Sequence, residues 1–190
     1  NWSGGKIPSN ISDVLIPSAS TTNNDPIINT SSGYGIGDYT TFTAGEVRMR
    51  TLEIASGGIL NVESGSASRI TLYGGPNANG GGINYGSWDN KGTFNPGNSK
   101  VIFDYDATAS ESTISGTTQF YDVEIATGKK ATVQSDTQIS ISNTLVNNGT
   151  FNAALLPNTI TYNGTTAQTV LPTTYYNLTI ANGVSATLGG

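Results

Sequence analysis

Carboxylates are the side chains of this sequence best suited to chemistry, because the chain contains no histidine and no cysteine. Without histidine, the commonest general base, the Ser-His-Asp arrangement and every histidine metal site are excluded. Asp104 and Asp106 alternate as residues on one strand face do, and Glu111 lies nearby. Such a group would act as acid and base on a polysaccharide, or would bind a hard cation such as Ca²⁺.

Asp122 and Glu124 show the same alternation on a second predicted strand. A related copy of this strand lies further along the chain, where Asn177 and Thr179 take their places. Positions at which a carboxylate in one strand is replaced by an amide or a hydroxyl in a related strand are typical of the solvent-facing side of a strand. We therefore predict that the protein is not an enzyme and needs no cofactor, with the group around Asp104 as a candidate Ca²⁺ site.

Aromatic side chains lie in and around the most glycine-rich stretch, residues 73–90. Tyr73, Tyr85 and Trp88 would offer flat rings on which sugars stack, and a long loop often carries a binding function. They form the candidate carbohydrate-binding site. The alternative for Trp88 is that it packs over a coil, where its indole N–H finds a hydrogen-bond partner.

Two arginines, Arg48 and Arg50, share a predicted strand face flanked by Glu46 and Glu53. Ion pairing with these glutamates explains them best, because exposed strand positions often carry opposite charges. The alternative is a contact with an acidic sugar.

The chain is polar without being strongly charged: 11% of its 190 residues are charged, 35% are apolar, and the net charge is −5. Disordered chains usually combine low hydrophobicity with high net charge, so nine Tyr and five Phe at this charge favour a folded protein. No basic run predicts nucleic-acid binding, and no apolar stretch approaches the roughly 20 residues that span a bilayer. The 24 glycines favour short strands joined by tight turns.

An internal repeat indicates the architecture. The sequence KGTFN at residues 91–95 returns as NGTFN at 148–152, and FYDVEIA at 120–126 returns as YYNLTIA at 175–181. Apolar and glycine positions persist while polar ones exchange, as expected of one structural unit stacked on another. The interval between the copies predicts two or three coils, with asparagines of the two copies stacking along the corners.

Short period-two apolar pairs predict many half-buried strands. Leu52 and Ile54, then Gly57, then Leu60 and Val62 place a strand, a corner and a strand in one run. This pattern predicts an all-β, right-handed parallel β-helix. The alternative is a set of antiparallel β-sandwich repeats, since Asn-Gly pairs such as the one at 148–149 can close hairpins.

We predict a single solenoid segment over residues 1–190, belonging to a longer protein. It divides into amino-terminal coils at 1–72 with an excursion at 18–43, a glycine-rich loop at 73–90, and two repeated units at 91–190.

The opening sequence NWSGGKIP at residues 1–8, followed by DVLIP at 13–17, resembles the segment that precedes β-helix repeats in large secreted surface proteins of Bacteroidota. The NGTFN segment at 148–152 and the YYNLTI strand at 175–180 are similar to the coils of those proteins. This resemblance covers most of the chain, and its motifs are structural.

The resemblance implies a role as cargo of the type 9 secretion system, secreted and displayed at the cell surface. It implies an adhesin, of the kind that gliding bacteria use for surface attachment and motility, with an extracellular glycan or surface as partner and the secretion machinery as partner during export. The resemblance carries over no catalytic residue. The composition described above predicts no nucleic-acid partner and no membrane insertion. The alternatives from other classes are a polysaccharide-binding module and a polysaccharide-degrading β-helix enzyme.

Overall fold

The computed structural model describes residues 12–18, 26–28, 46–63, 68–76, 83–84, 86–105, 111–181 and 185–189, in which there are strands but no helix. We call each passage of the chain around the stack a coil. The first coil holds β1 (Asp13–Ile16), β2 (Ile27–Ile28) and β3 (Glu46–Met49), and the second holds β4 (Thr51–Ile54), β5 (Ile59–Val62) and β6 (Arg69–Leu72). A short pair, β7 (Gly75–Pro76) and β8 (Ile83–Asn84), precedes the third coil, which holds β9 (Trp88–Asn90), β10 (Thr93–Asn95) and β11 (Lys100–Phe103).

The later coils are more compact. The fourth is one long strand, β12 (Ser112–Ile125), and the fifth holds β13 (Lys130–Val133) and β14 (Thr137–Asn147). The sixth holds β15 (Thr150–Asn152), β16 (Asn158–Tyr162) and β17 (Gln168–Val170), and the seventh holds β18 (Asn177–Ile180) and β19 (Ala186–Leu188).

The strands stack in three ladders, in which strands of successive coils lie over one another and most of them pair in parallel. Ladders B and C each contain one step without strand pairing, between β10 and β12 and between β14 and β17. Ladder A runs through β1, β4, β9, the start of β12, β13 and β15. Ladder B holds β2, β5 and β10, and then the middle of β12, the start of β14, β16 and β18. Ladder C runs through β3, β6, β11, the end of β12 and the end of β14, and is followed by the pair of β17 and β19.

The fold is therefore all-β with a solenoid-like stack of parallel strands, as the period-two pattern predicts. The antiparallel sandwich alternative is wrong for the described residues, where the antiparallel strand pair is the small one of β7 and β8. The Asn-Gly pair at 148–149 closes no hairpin. It joins the end of β14 in ladder C to β15 in ladder A.

Strand β12 passes through all three ladders because its backbone bends twice. Gly116 has a φ of 83°, and a Cβ on it would overlap the carbonyl oxygen of Asn90. Only glycine combines that backbone conformation with so close an approach. The second bend lies at Tyr121, where the pairing with β14 slips between Phe120 and Asp122.

Coil length falls along the chain, as the ladder A partners show. Asp13 pairs with Thr51, whereas Ala131 pairs with Phe151 after a much shorter interval. The early coils are long because they contain the segments predicted to interrupt the rhythm. Most of the excursion at 18–43 lies outside the described residues, as do residues 77–82 and 85 of the glycine-rich loop.

The core fills the inside of the three ladders. Side chains of alternate residues point inward and are almost completely buried, among them Leu52, Leu60, Phe103, Ile141 and Tyr162. Burial of such aliphatic and aromatic side chains is the main stabilising contribution of each coil. Because one coil covers the next, the core is continuous along the stack.

Candidate functional site

Trp88 lies inside the core and is fully buried. Its ring packs edge-on against Phe94 with centroids 4.8 Å apart, and tilted against Phe120 at 5.0 Å. The indole Nε1–H donates to Thr118 Oγ1 over 3.0 Å. An indole with no exposed face cannot stack on a sugar, so the carbohydrate-binding prediction is corrected at Trp88 in favour of the packing alternative.

Of the other two residues of the predicted carbohydrate site, the structure describes Tyr73 and not Tyr85. Tyr85 lies outside the described residues, so its part of the prediction is not tested. Tyr73 is half-buried, and its backbone N–H donates to the carbonyl of Met49 over 2.7 Å. The structure therefore does not bring the three rings together on one described surface.

Two of the three candidate Ca²⁺ ligands face lysines. Glu111 lies 2.8 Å from Lys130 Nζ and accepts a hydrogen bond from Thr132 Oγ1 over 2.6 Å. Asp104 lies 3.9 Å from Lys129 Nζ. Asp106, the third ligand, is outside the described residues, and in the rest of the chain that the structure does describe, no three acidic side chains are grouped to hold a metal ion.

The hydrogen bond from Lys130, followed by the one from Thr132, holds the pKa of Glu111 below its usual range. A general acid must keep its proton near neutral pH, and hydrogen bonds to the charged form have the opposite effect. Glu111 is therefore a stably ionised partner in an ion pair. Lys129 in turn lies 5.1 Å from the ring centre of Tyr105, whose hydroxyl oxygen accepts a hydrogen bond from the Lys130 backbone N–H.

The second carboxylate pair, Asp122 and Glu124, also makes structural contacts. Asp122 Oδ1 accepts hydrogen bonds from the backbone N–H of Thr144 over 3.0 Å and from Asn143 Nδ2 over 2.8 Å. Glu124 lies 3.1 Å from Lys100 Nζ on the neighbouring coil. These groups tie adjacent coils together on the outside of ladder C.

The two arginines form ion pairs, but only one of them with a predicted partner. Arg48 Nε lies 2.9 Å from Glu46 Oε1. Arg50 is almost completely buried and forms a two-pronged ion pair with Asp13 on the preceding coil, while Glu53 pairs with Lys91. Because Arg50 is buried, it offers no surface to an acidic sugar.

A polar surface lies on the second part of ladder B and was not predicted from the sequence. Its outward side chains form two columns across four coils. One column is Thr117, Gln138, Thr159 and Asn177, and the other is Gln119, Ser140, Thr161 and Thr179. We call this surface the outer face of ladder B. All eight side chains are uncharged and hydrogen-bonding, and neighbouring coils lie about 4.8 Å apart.

The signal for this surface was present in the sequence as polar residues alternating with apolar ones. What was missing was the pairing of the strands, because the columns form only when residues of successive coils are brought side by side. A shallow polar groove of about 240 Å³ borders the face, lined in part by Asp136, Asn158 and Asn177.

A second cleft, of about 530 Å³, lies at the last described coil. Its lining includes Leu171, Tyr175, Leu178 and Leu188. Tyr175 donates a hydrogen bond to the Leu171 carbonyl over 2.8 Å and lies 3.1 Å, oxygen to oxygen, from the Tyr162 hydroxyl.

Comparison with protein-family models finds no match for this chain, and neither curated proteins nor solved structures match it. A helix with the length and apolar character to cross a membrane is not found in the described ranges. The function of the chain is therefore inferred from its own surfaces and contacts.

Proposed function

We propose that this chain is a non-catalytic, structural and adhesive segment of a secreted cell-surface adhesin, built as a right-handed parallel β-helix. It holds an extracellular glycan or another surface on a long, shallow face, and it acts as a stiff spacer whose length grows with the number of coils. Export by the type 9 secretion system and a part in surface attachment or gliding belong to this proposal.

The outer face of ladder B carries the proposal. Thr, Ser, Gln and Asn side chains supply donors and acceptors without charge, and such groups match the hydroxyls of a neutral polysaccharide. The face spans four coils, so an extended glycan would contact several residues in succession. Many weak polar contacts along a surface give useful binding when they act together, as in other multivalent systems.

The environment of the carboxylates supports a role without catalysis. Asp104, Glu111 and Glu124 each lie beside a lysine, and Asp122 accepts several hydrogen bonds. A glycoside hydrolase instead needs two carboxyl groups facing one another across a substrate, one of them with a raised pKa. The lowered pKa of Glu111 is unsuited to that role.

A glycan array with the whole chain tests the proposal. We expect retention on neutral polysaccharides, and we expect Gln138→Glu, which adds a charge at the centre of the outer face of ladder B, to reduce it at least several-fold. Gln134→Glu places the same charge directly after β13 in ladder A and is the matched control. No retention on any glycan or on untreated surfaces, or equal loss in both variants, would overturn the proposal.

A further inference from the structure

The last described coil leaves inward-pointing apolar side chains in solvent. Leu178 and Ile180 of β18 are each 40% exposed, and Leu188 of β19 is 75% exposed. Their partners one coil below occupy the same places in the ladders and differ in having a coil on top of them. These partners, Ile160, Tyr162 and Val170, are at most 1% exposed.

The exposed side chains form one continuous surface with the cleft lined by Leu171, Tyr175, Leu178 and Leu188. We call this surface the open end. Among the described residues, β18 pairs only with β16, and β19 only with β17, so one backbone edge of each strand is unpaired. Unpaired edges with apolar side chains beside them are typical sites of strand addition.

The internal repeat indicates what covers such a surface. The earlier of the two related stretches, residues 120–133, is covered by the next coil: residues 122–125 pair with 144–147, and residues 130–132 pair with 150–152. Between them the Asn148 N–H donates to the Ile125 carbonyl, and the Thr150 N–H donates to the Lys129 carbonyl. The later stretch, residues 175–188, repeats the sequence of residues 120–133, which receives this cover.

The covering segment, residues 144–152, has apolar side chains on both sides of a glycine corner. Leu145 and Phe151 point into the core and are at most 7% exposed. Between them, a Cβ on Gly149 would overlap the Lys129 carbonyl oxygen and would lie 2.6 Å from that of Ala126. A segment that covers a corner of this type must therefore carry glycine where Gly149 stands.

We propose that the open end is an interface for one further coil, laid in parallel on β18 and β19. This partner consists of a strand, an Asn-x-Gly corner and a second strand, with apolar residues at the places of Leu145 and Phe151. A second copy of this chain does not supply it, because in each copy the segment of this type is already paired inside its own stack. The inference does not depend on adhesion.

Extension of the whole chain by one coil tests the interface. In the repeat, Gly189 and Gly190 stand where Gln134 and Ser135 stand in the first copy. The sequence of residues 136–153 is therefore added directly after Gly190, in register with the first copy. We expect hydrogen exchange of the amides in β18 and β19 to slow at least ~10-fold, because both unpaired edges become protected.

A matched extension with valine at the place copied from Gly149 is the control, and we expect it to give no such protection. A second control replaces the residues copied from Leu145 and Phe151 by asparagine, which removes the apolar contacts but keeps the corner, and it should protect less than the unaltered extension. Protection by the valine extension equal to that of the unaltered one, or no protection by either, would overturn the proposal. So would self-association of the unextended chain in sedimentation experiments that protects β18 and β19, since the occupant would then be a second copy.

Discussion

Asn90 and Asn147 make the same hydrogen bond at two different corners of the stack. Each side-chain Oδ1 accepts from the backbone N–H of the glycine two residues further on, over 3.0 Å for Gly92 and 3.3 Å for Gly149. The two asparagines are equivalent in the internal repeat. Nevertheless, Asn90 ends a strand of ladder A, and Asn147 ends a strand of ladder C.

The repeat therefore preserves the chemistry of a corner, not its place in the coil. Phe120 pairs with Ile141 and Ile141 pairs with Tyr162, so the chain from Phe120 to Tyr162 makes two full coils. The interval from Asn90 to Asn147 is longer than two such coils and shorter than three. The prediction that asparagines of the two copies stack along shared corners is wrong for this pair, because the second copy is displaced to another ladder.

The first prediction concerns Gly149. We expect Gly149→Ala to lower the free energy of unfolding by several kcal/mol, since its Cβ would overlap the carbonyl oxygens of Lys129 and Ala126. Chemical denaturation monitored by far-ultraviolet circular dichroism measures this change.

Gly128→Ala is the matched control for Gly149→Ala. Gly128 has a φ of 72°, but a Cβ on it would meet nothing within 4 Å. Gly128→Ala should therefore lower the free energy of unfolding only by the cost of a left-handed backbone conformation, about 1–2 kcal/mol. Equal costs for the two variants would show that close packing of the corner is not what selects glycine at residue 149.

Local patterns were sufficient to predict the strands, the parallel stack and the corners. Leu52 and Ile54 alternate with polar neighbours, and Gly57 has the positive φ, 77°, that its place in the corner suggests. Such features depend on residues close in sequence. The repeat also indicated correctly that units stack, because exchange of polar residues at constant apolar positions marks the buried side of a coil.

Long-range placement could not be predicted in the same way. Nothing near Arg50 in the sequence points to Asp13, because the two residues meet only when one coil lies on another. Trp88 likewise lies in a glycine-rich stretch that resembles a loop, but it begins a ladder strand and fills the core. Strand pairing decides both positions, and it depends on the lengths of the intervening segments.

Trp88 provides the second prediction. We expect Trp88→Ala to destabilise the fold by about 3–5 kcal/mol, because it leaves a cavity between Phe94 and Phe120 and removes a donor from Thr118. Trp88→Phe keeps part of the packing and should cost less in the same denaturation experiment. If Trp88→Ala abolished glycan binding while the free energy of unfolding stayed unchanged, its assignment to the core would be contradicted.

Gln168 provides the third prediction. This buried side chain accepts a hydrogen bond from the Gly164 N–H over 2.7 Å and donates to the carbonyls of Ile141 and Asn143 over 3.0 and 2.9 Å. We expect Gln168→Ala to cost about 2–3 kcal/mol in denaturant titration, because it leaves buried backbone groups unpaired. Gln138→Ala, at an exposed position of the same coil stack, should stay within about 0.5 kcal/mol of the parent, and a similar effect of both changes would contradict this account.

The fourth prediction concerns alkaline pH. Burial, followed by the hydrogen bond with Tyr162, raises the pKa of Tyr175 above its ordinary value of about 10. The folded state therefore holds a proton that the unfolded state loses above about pH 10. This contribution to stability is complete below that pH and declines as the pH rises beyond it.

Replacement of Tyr175 by phenylalanine removes this titration and isolates its effect. Between about pH 9 and 11, we expect the unfolding free energy of Tyr175→Phe to fall less steeply with pH than that of the parent. One fully coupled proton would change the slope by about 1.4 kcal/mol per pH unit. The difference between the two proteins should be smaller than this, because the ring of Tyr175 is only half-buried. At neutral pH the same variant should cost about 1 kcal/mol for the hydrogen bond to Leu171. Urea titrations of both proteins across this range measure the two slopes, and identical slopes would show that Tyr175 ionises equally in the folded and unfolded states.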